Sequence, residues 1–121
     1  MYERMYQVIT SEKVDFVMSD YIRVLDEGNQ YLKTLDIQEG RYDKAAIREK
    51  IFPQLIMGEN LEYAPLLSVC HCLYRTEFLK EHQLTFDEEV RWSEDNIFSA
   101  FAGYYADSFY YLNGEGLYHY Y

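Results

Sequence analysis

Residues Arg91–Ala106 read R-W-S-E-D-N-I-F-S-A-F-A-G-Y-Y-A. A serine and two adjacent carboxylates precede Ile97, Phe98, Phe101, Tyr104 and Tyr105, which recur at spacings of three and four. That pattern predicts a helix over Ser93–Ala106 carrying one wide apolar stripe, expected to anchor the helix in the core. Ser93 is a favourable N-cap. Glu94 and Asp95 fall in the first turn, where carboxylates interact well with exposed amides and with the helix dipole.

Working outward from that helix, the chain alternates between helical and strand patterns. Met1, Met5, Val8 and Ile9 share one face of an amphipathic helix at the start. V-D-F-V-M-S-D-Y-I-R-V-L, from Val14, alternates Val14, Phe16 and Met18 with Asp15 and Ser19, as one or two strands would. A turn at D-E-G-N-Q leads to a further strand, Y-L-K-T-L-D-I, and Q-E-G-R-Y reads as a loop. Asp43 is placed to cap K-A-A-I-R-E-K-I-F, whose apolar side holds Ile47, Ile51 and Phe52 and which ends near Pro53.

A linker with Gly58, Asn60 and Pro65 precedes an expected strand over Ser68–Arg75, and Thr76 is expected to cap the short helix E-F-L-K-E-H. After the Ser93–Ala106 helix come S-F-Y-Y-L and L-Y-H-Y-Y, two expected strands joined as a hairpin across N-G-E-G. No internal repeat or low-complexity tract interrupts this order. The fold class is therefore mixed α/β (α+β), with sheet strands and about four helices in one domain.

Composition narrows the function. The 121 residues are enough for one domain with a modest core, and 14 of them are Tyr, whose flat faces and polar tips suit grooves for polar ligands. Eleven basic against 21 acidic residues give a net charge of -10, which disfavours nucleic acid and anionic membrane surfaces as partners. No signal peptide, lipidation motif or bilayer-spanning apolar run is present. Cys70 and Cys72, in S-V-C-H-C-L-Y-R, are too close to pair well and read as buried free thiols on one strand face. His71 lies between them, but no second ligand cluster follows at zinc spacing.

The acidic pair has two readings. As structure, it is an ordinary helix start. As chemistry, a carboxylate at a helix N-terminus is expected to have a lowered pKa and, at a cleft edge, to receive the proton of an attacking hydroxyl. Arg91 and Trp92 add a cation and a flat ring suited to a sugar, although Trp92 serves equally well as a cover for the helix start. Adjacent carboxylates on one turn cannot flank a glycosidic bond from opposite sides, which excludes a hydrolase pair.

From Ser68 to Ala100 the chain reads S-V-C-H-C-L-Y-R-T-E-F-L-K-E-H-Q-L-T-F-D-E-E-V-R-W-S-E-D-N-I-F-S-A. This resembles the C-terminal half of bacterial family 2 glycosyltransferases, in which an L-Y-R-x-x-F-L strand–helix and F-D-E precede a Glu-Asp pair opening a helix. The opening M-Y-E-R-M-Y-Q-V-I, the strand V-D-F-V-M-S-D-Y and the ending F-Y-Y-L-N-G-E-G-L-Y-H-Y-Y extend the resemblance over nearly the whole chain. The resemblance implies a GT-A fold and inverting transfer of a sugar from a nucleoside diphosphate donor to an acceptor hydroxyl, in bacterial surface polysaccharide or glycan synthesis. It implies Asp95 as catalytic base, Glu94 shaping the site or meeting the acceptor, and Trp92 and Arg91 on the acceptor side. A divalent metal (Mn or Mg) would carry the leaving diphosphate; His119 is read either as an extra metal ligand or, in preference, as a strand histidine packed among tyrosines. Arg75 is expected to pair with an acid at the surface.

The sequence has no Asp-x-Asp and none of the nucleotide-binding turns of such enzymes. Residues 1–121 are accordingly expected to be the acceptor-binding, catalytic-base half alone, inactive without a donor half and not binding metal tightly. The expected partners are a sugar acceptor, a nucleotide-sugar donor held mostly elsewhere, and a second copy through an exposed half-domain face. The expected location is the cytoplasm, including the inner face of the membrane. The competing reading is a non-catalytic carbohydrate-binding or protein-interaction module.

Overall fold

Val14 to Asp20 are all buried, the apolar and the polar residues of the alternation alike. A strand buried on both faces must lie inside a sheet covered on both sides. In the computed structural model, which describes residues 1–35, 37–54 and 68–121, this strand is β1 (Phe16–Asp26), the centre of a mixed five-stranded sheet.

Ahead of β1 runs α1 (Tyr2–Glu12), ended by Lys13 in the left-handed conformation (φ 53). Its buried residues, Met5, Val8 and Ile9, are those the helical spacing selects, and they pack with Val14, Val17 and Leu112. Each such side chain contributes about 1.5–3 kcal/mol when fully buried. Behind β1 come β2 (Asn29–Lys33), β3 (Gly40–Asp43), β4 (Cys72–Tyr74) and β5 (Ser108–Tyr120). β2 and β4 both pair antiparallel with one edge of β1, β4 with its first half and β2 with its second, while β5 runs parallel along the other edge and carries β3 antiparallel beyond it.

The opposite face of the sheet is covered by α2 (Lys44–Ala46), α3 (Thr76–Glu81) and α4 (Glu94–Tyr105). Asp43 caps α2 as expected, its carboxylate accepting from Ala46 N at 2.9 Å. The helix then widens into a π-helical turn at Ile47–Ile51 and tightens into a 3-10 turn at Phe52–Gln54 around Pro53. Ile47 and Ile51 join Phe16, Met18, Phe78, Phe98, Phe109 and Tyr111 in the larger core cluster.

Several local expectations give way to tertiary structure. Q-E-G-R-Y ends in strand, not loop, because Gly40–Asp43 finds the free edge of β5. The strand expected over Ser68–Arg75 is confined to Cys72–Tyr74, and α3 is flanked by Arg75 with Thr76 already inside it, without a side-chain cap. Cys70 sits exposed in a turn and only Cys72 is buried, so the two thiols do not share a strand face. The expected linker with Gly58, Asn60 and Pro65 lies outside the described residues.

The hairpin across N-G-E-G is also absent. β5 continues in one direction, and Asn113–Glu115 are extruded between the partners Ser19↔Leu112 and Asp20↔Gly116. The buried Asp20 carboxylate fixes this excursion, accepting from Gly114 N at 2.6 Å and from the Tyr111 hydroxyl. Gly114 takes φ +78, which a glycine adopts without the steric cost a Cβ would bring. The Tyr111 hydroxyl in turn accepts from Leu35 N at 2.9 Å, so the buried polar groups are satisfied in series.

Candidate functional site

Glu94 and Asp95 open α4, as the sequence places them. Ser93 precedes them at φ 60 in the left-handed region, and its hydroxyl makes no capping bond. This corrects its reading as a side-chain N-cap: a capping serine normally has extended backbone, which aims the hydroxyl at the following amides. Here the Ser93 carbonyl accepts from Asn96 N at 3.0 Å. The amides of Asp95 and Asn96 favour the ionised form of the Asp95 carboxyl.

Glu94 is exposed and Asp95 half-buried. The Asp95 carboxyl is held above the ordinary aspartate range, first by burial and then by the neighbouring Glu94 charge, against the opposing pull of the two amides. The lowered pKa expected from the helix terminus is therefore overturned. Desolvation and a like charge outweigh the dipole, leaving a carboxylate that binds a proton more tightly than a free one.

Three groups not foreseen from sequence lie around this turn. Tyr74, at the end of β4, feels the Asp95 charge, and its phenol is raised well above the usual range, chiefly by burial. Its ring stacks on Phe16 at 5.4 Å and meets Phe98 edge-on at 5.3 Å. Ser99 lies one turn after Asp95 on the same side of α4, a spacing that was visible but undistinguished in the sequence. Phe86 stacks on Phe98 at 4.5 Å and pins the F-D-E segment against the helix.

Arg91 and Trp92 sit beside the pair along the chain, both exposed, Trp92 at 88%. His119 is exposed on β5 opposite Ile22, its ring 6.5 Å from that of Tyr121. Among the described residues no group of three or more His, Cys, Asp and Glu side chains is placed to hold a metal, so His119, Glu94 and Asp95 do not form one.

A hollow of about 820 Å³ lies between α1 and the β4–α3 junction, bordered by Tyr6, Lys13, Tyr74, Arg75 and Glu77. Two smaller ones, about 220 and 270 Å³, flank Phe101 on α4. Asp95 lines none of these three; Tyr74 connects its surroundings to the largest.

The stripe expected to bury α4 is largely outside. Phe98 is buried, but Ile97, Phe101, Tyr104 and Tyr105 are exposed, and the sheet is met by Phe98, Ser99, Ala102 and Gly103. Small residues let the helix approach closely, and the large ones are left on the other side.

Compared with known proteins, the sequence matches no protein-family model and no curated protein. Among the described residues no helix is long and apolar enough to cross a membrane.

Proposed function

We propose that the chain is the acceptor side of an inverting glycosyltransferase, acting with a nucleotide-sugar-binding half in the cytoplasm. The observation that carries this reading is Asp95, a half-buried carboxylate whose proton affinity is raised by burial and by Glu94. A general base is most effective when its proton affinity approaches the working pH while the ionised form persists. Asp95 would take the proton of the acceptor hydroxyl as that oxygen attacks the donor's anomeric carbon. Glu94 keeps the local potential negative, and Trp92 and Arg91 offer a stacking face and a hydrogen-bonding cation to the acceptor. The donor, its diphosphate and any metal belong to the other half.

The test is sugar transfer from radiolabelled nucleotide sugars by the enzyme carrying both halves. Asp95→Asn should retain donor binding and lower turnover by a hundredfold or more, in the range of lost general-base catalysis. Turnover equal to the wild type would leave Asp95 as a helix cap. For residues 1–121 alone, oligosaccharide titration followed by NMR should move resonances of Asp95, Tyr74 and Trp92 without any transfer.

One observation favours a binding module with no catalysis of its own: the large side chains of α4 face solvent. Wild-type turnover in Asp95→Asn would support that alternative.

A further inference from the structure

The outer face of α4 shares only Glu94 with the proposed chemistry. Glu94, Ile97, Phe101 and Tyr104 follow at spacings of three, four and three, which aligns them along one side of the helix. Ile97 is 40%, Phe101 52% and Tyr104 53% exposed. Phe101 forms a ridge between the two small hollows. On one side lie Phe52, Ile97, Ala100 and Tyr104; on the other lie His82, Leu84, Phe98 and Tyr105. The result is an apolar surface with two depressions, running about 10 Å from Ile97 to Tyr104 at helical rise.

Its N-terminal end is acidic. Residues 87–95 contain five carboxylates and one arginine, and Asp87, Glu88, Glu89 and Glu94 are exposed. None of them takes part in the three ion pairs found among the described residues. Isolated exposed apolar side chains need no partner, but a contiguous aromatic face rimmed by like charge is the arrangement of a docking surface. The charge also selects the partner: a second copy would bring another net charge of -10 against the first, whereas a basic segment is attracted.

We propose that this face docks a basic amphipathic helix of another protein, its apolar side chains entering the depressions beside Phe101 and its Lys or Arg residues lying over Asp87–Glu94. Helix-in-groove recognition lays an amphipathic helix's apolar anchors into a hydrophobic surface of this kind. The inference does not depend on the transferase reading.

Trp92, the only tryptophan, is exposed beside the acidic rim and reports on the contact. The probe is a Leu/Lys peptide of about four turns with helical spacing, compared with a scrambled peptide of the same composition and with one bearing Glu in place of Lys. The amphipathic peptide should shift Trp92 emission and the amides of Ile97, Phe101 and Tyr104, and bind at least tenfold more tightly than the scrambled one. Salt should weaken it. Phe101→Gln, at a half-exposed site that keeps the fold, should weaken it tenfold or more, as should Glu88→Gln with Glu89→Gln. Equal binding of the scrambled peptide, preference for the Glu peptide, or no binding would overturn the proposal. So would a dimer in sedimentation that Phe101→Gln disperses, which would make a second copy the occupant.

Discussion

Asp15 and Arg75 tie the start of β1 to the start of α3, with Arg75 Nη2 donating to Asp15 Oδ1 at 2.6 Å. The backbones join the same link, Arg75 N donating to the Asp15 carbonyl at 2.8 Å. The other carboxylate oxygen accepts from Asp107 N at 2.8 Å and Ser108 N at 3.1 Å, where α4 hands over to β5. One buried carboxylate therefore holds three elements, while its arginine partner remains 45% exposed along the side chain.

That asymmetry predicts unequal losses. Asp15→Ala strands the buried Ser108 amide and the part-buried Asp107 amide and should cost about 3 kcal/mol. Arg75→Ala removes the solvent-facing partner and should cost about 1 kcal/mol. Urea denaturation of the two variants measures this, and equal losses would contradict the assignment of Asp15 as the shared acceptor.

Gly116 is fixed by crowding. A Cβ there would lie 2.7 Å from Ile22 Cγ1 and 2.8 Å from Leu32 Cδ1, both closer than carbon atoms tolerate. Gly116→Ala should destabilise by about 1–3 kcal/mol through overpacking. Adding Ile22→Ala removes the closer of the two clashes, leaving the flexible end of Leu32 to move aside, so the double variant should be more stable than the sum of the single losses predicts. Strict additivity in thermal unfolding would refute this account.

Asp95 gives a pH-dependent prediction. Its proton affinity is higher in the folded chain than in the unfolded one. The stability linked to this group is thus fully present below the unfolded aspartate pKa of about 3.9 and is lost as pH rises through the folded value. At neutral pH the ionised group opposes folding, so Asp95→Asn should raise stability there. The gain should vanish below about pH 4. A plain helix cap behaves oppositely, because removing its charge weakens the helix start. Melting curves of the variant at neutral and acid pH decide the sign.

The two cysteines should differ sharply in reactivity. Burial pushes the Cys72 thiol up to about 12, so it remains protonated and shielded. Cys70 is exposed. A thiol reagent should label one cysteine rapidly in the native protein and the second only on unfolding, and Cys70→Ser should abolish the fast phase. Rapid double labelling would place Cys72 at the surface.

The amino-acid order by itself determined α1, the Asp43 cap, the turn after Asp26 and the acidic start of α4. Each is a local contest between side-chain spacing, capping groups and turn residues, and no distant partner is needed to decide it. Arg75 was similarly readable as an ion-pair donor, though not which acid would receive it.

Tertiary structure decided the rest. N-G-E-G carries the same turn signal whether the chain reverses or merely bulges, and the buried Asp20 with the parallel edge of β1 chose the bulge. Spacing predicted one apolar stripe on α4 that would meet the core; close approach instead selected Ala102 and Gly103 and left Phe101 and Tyr104 to solvent. Asp95 follows the same rule. Its place in the helix was written locally, but its proton affinity was not, because desolvation depends on neighbours such as Tyr74 that only folding brings into range.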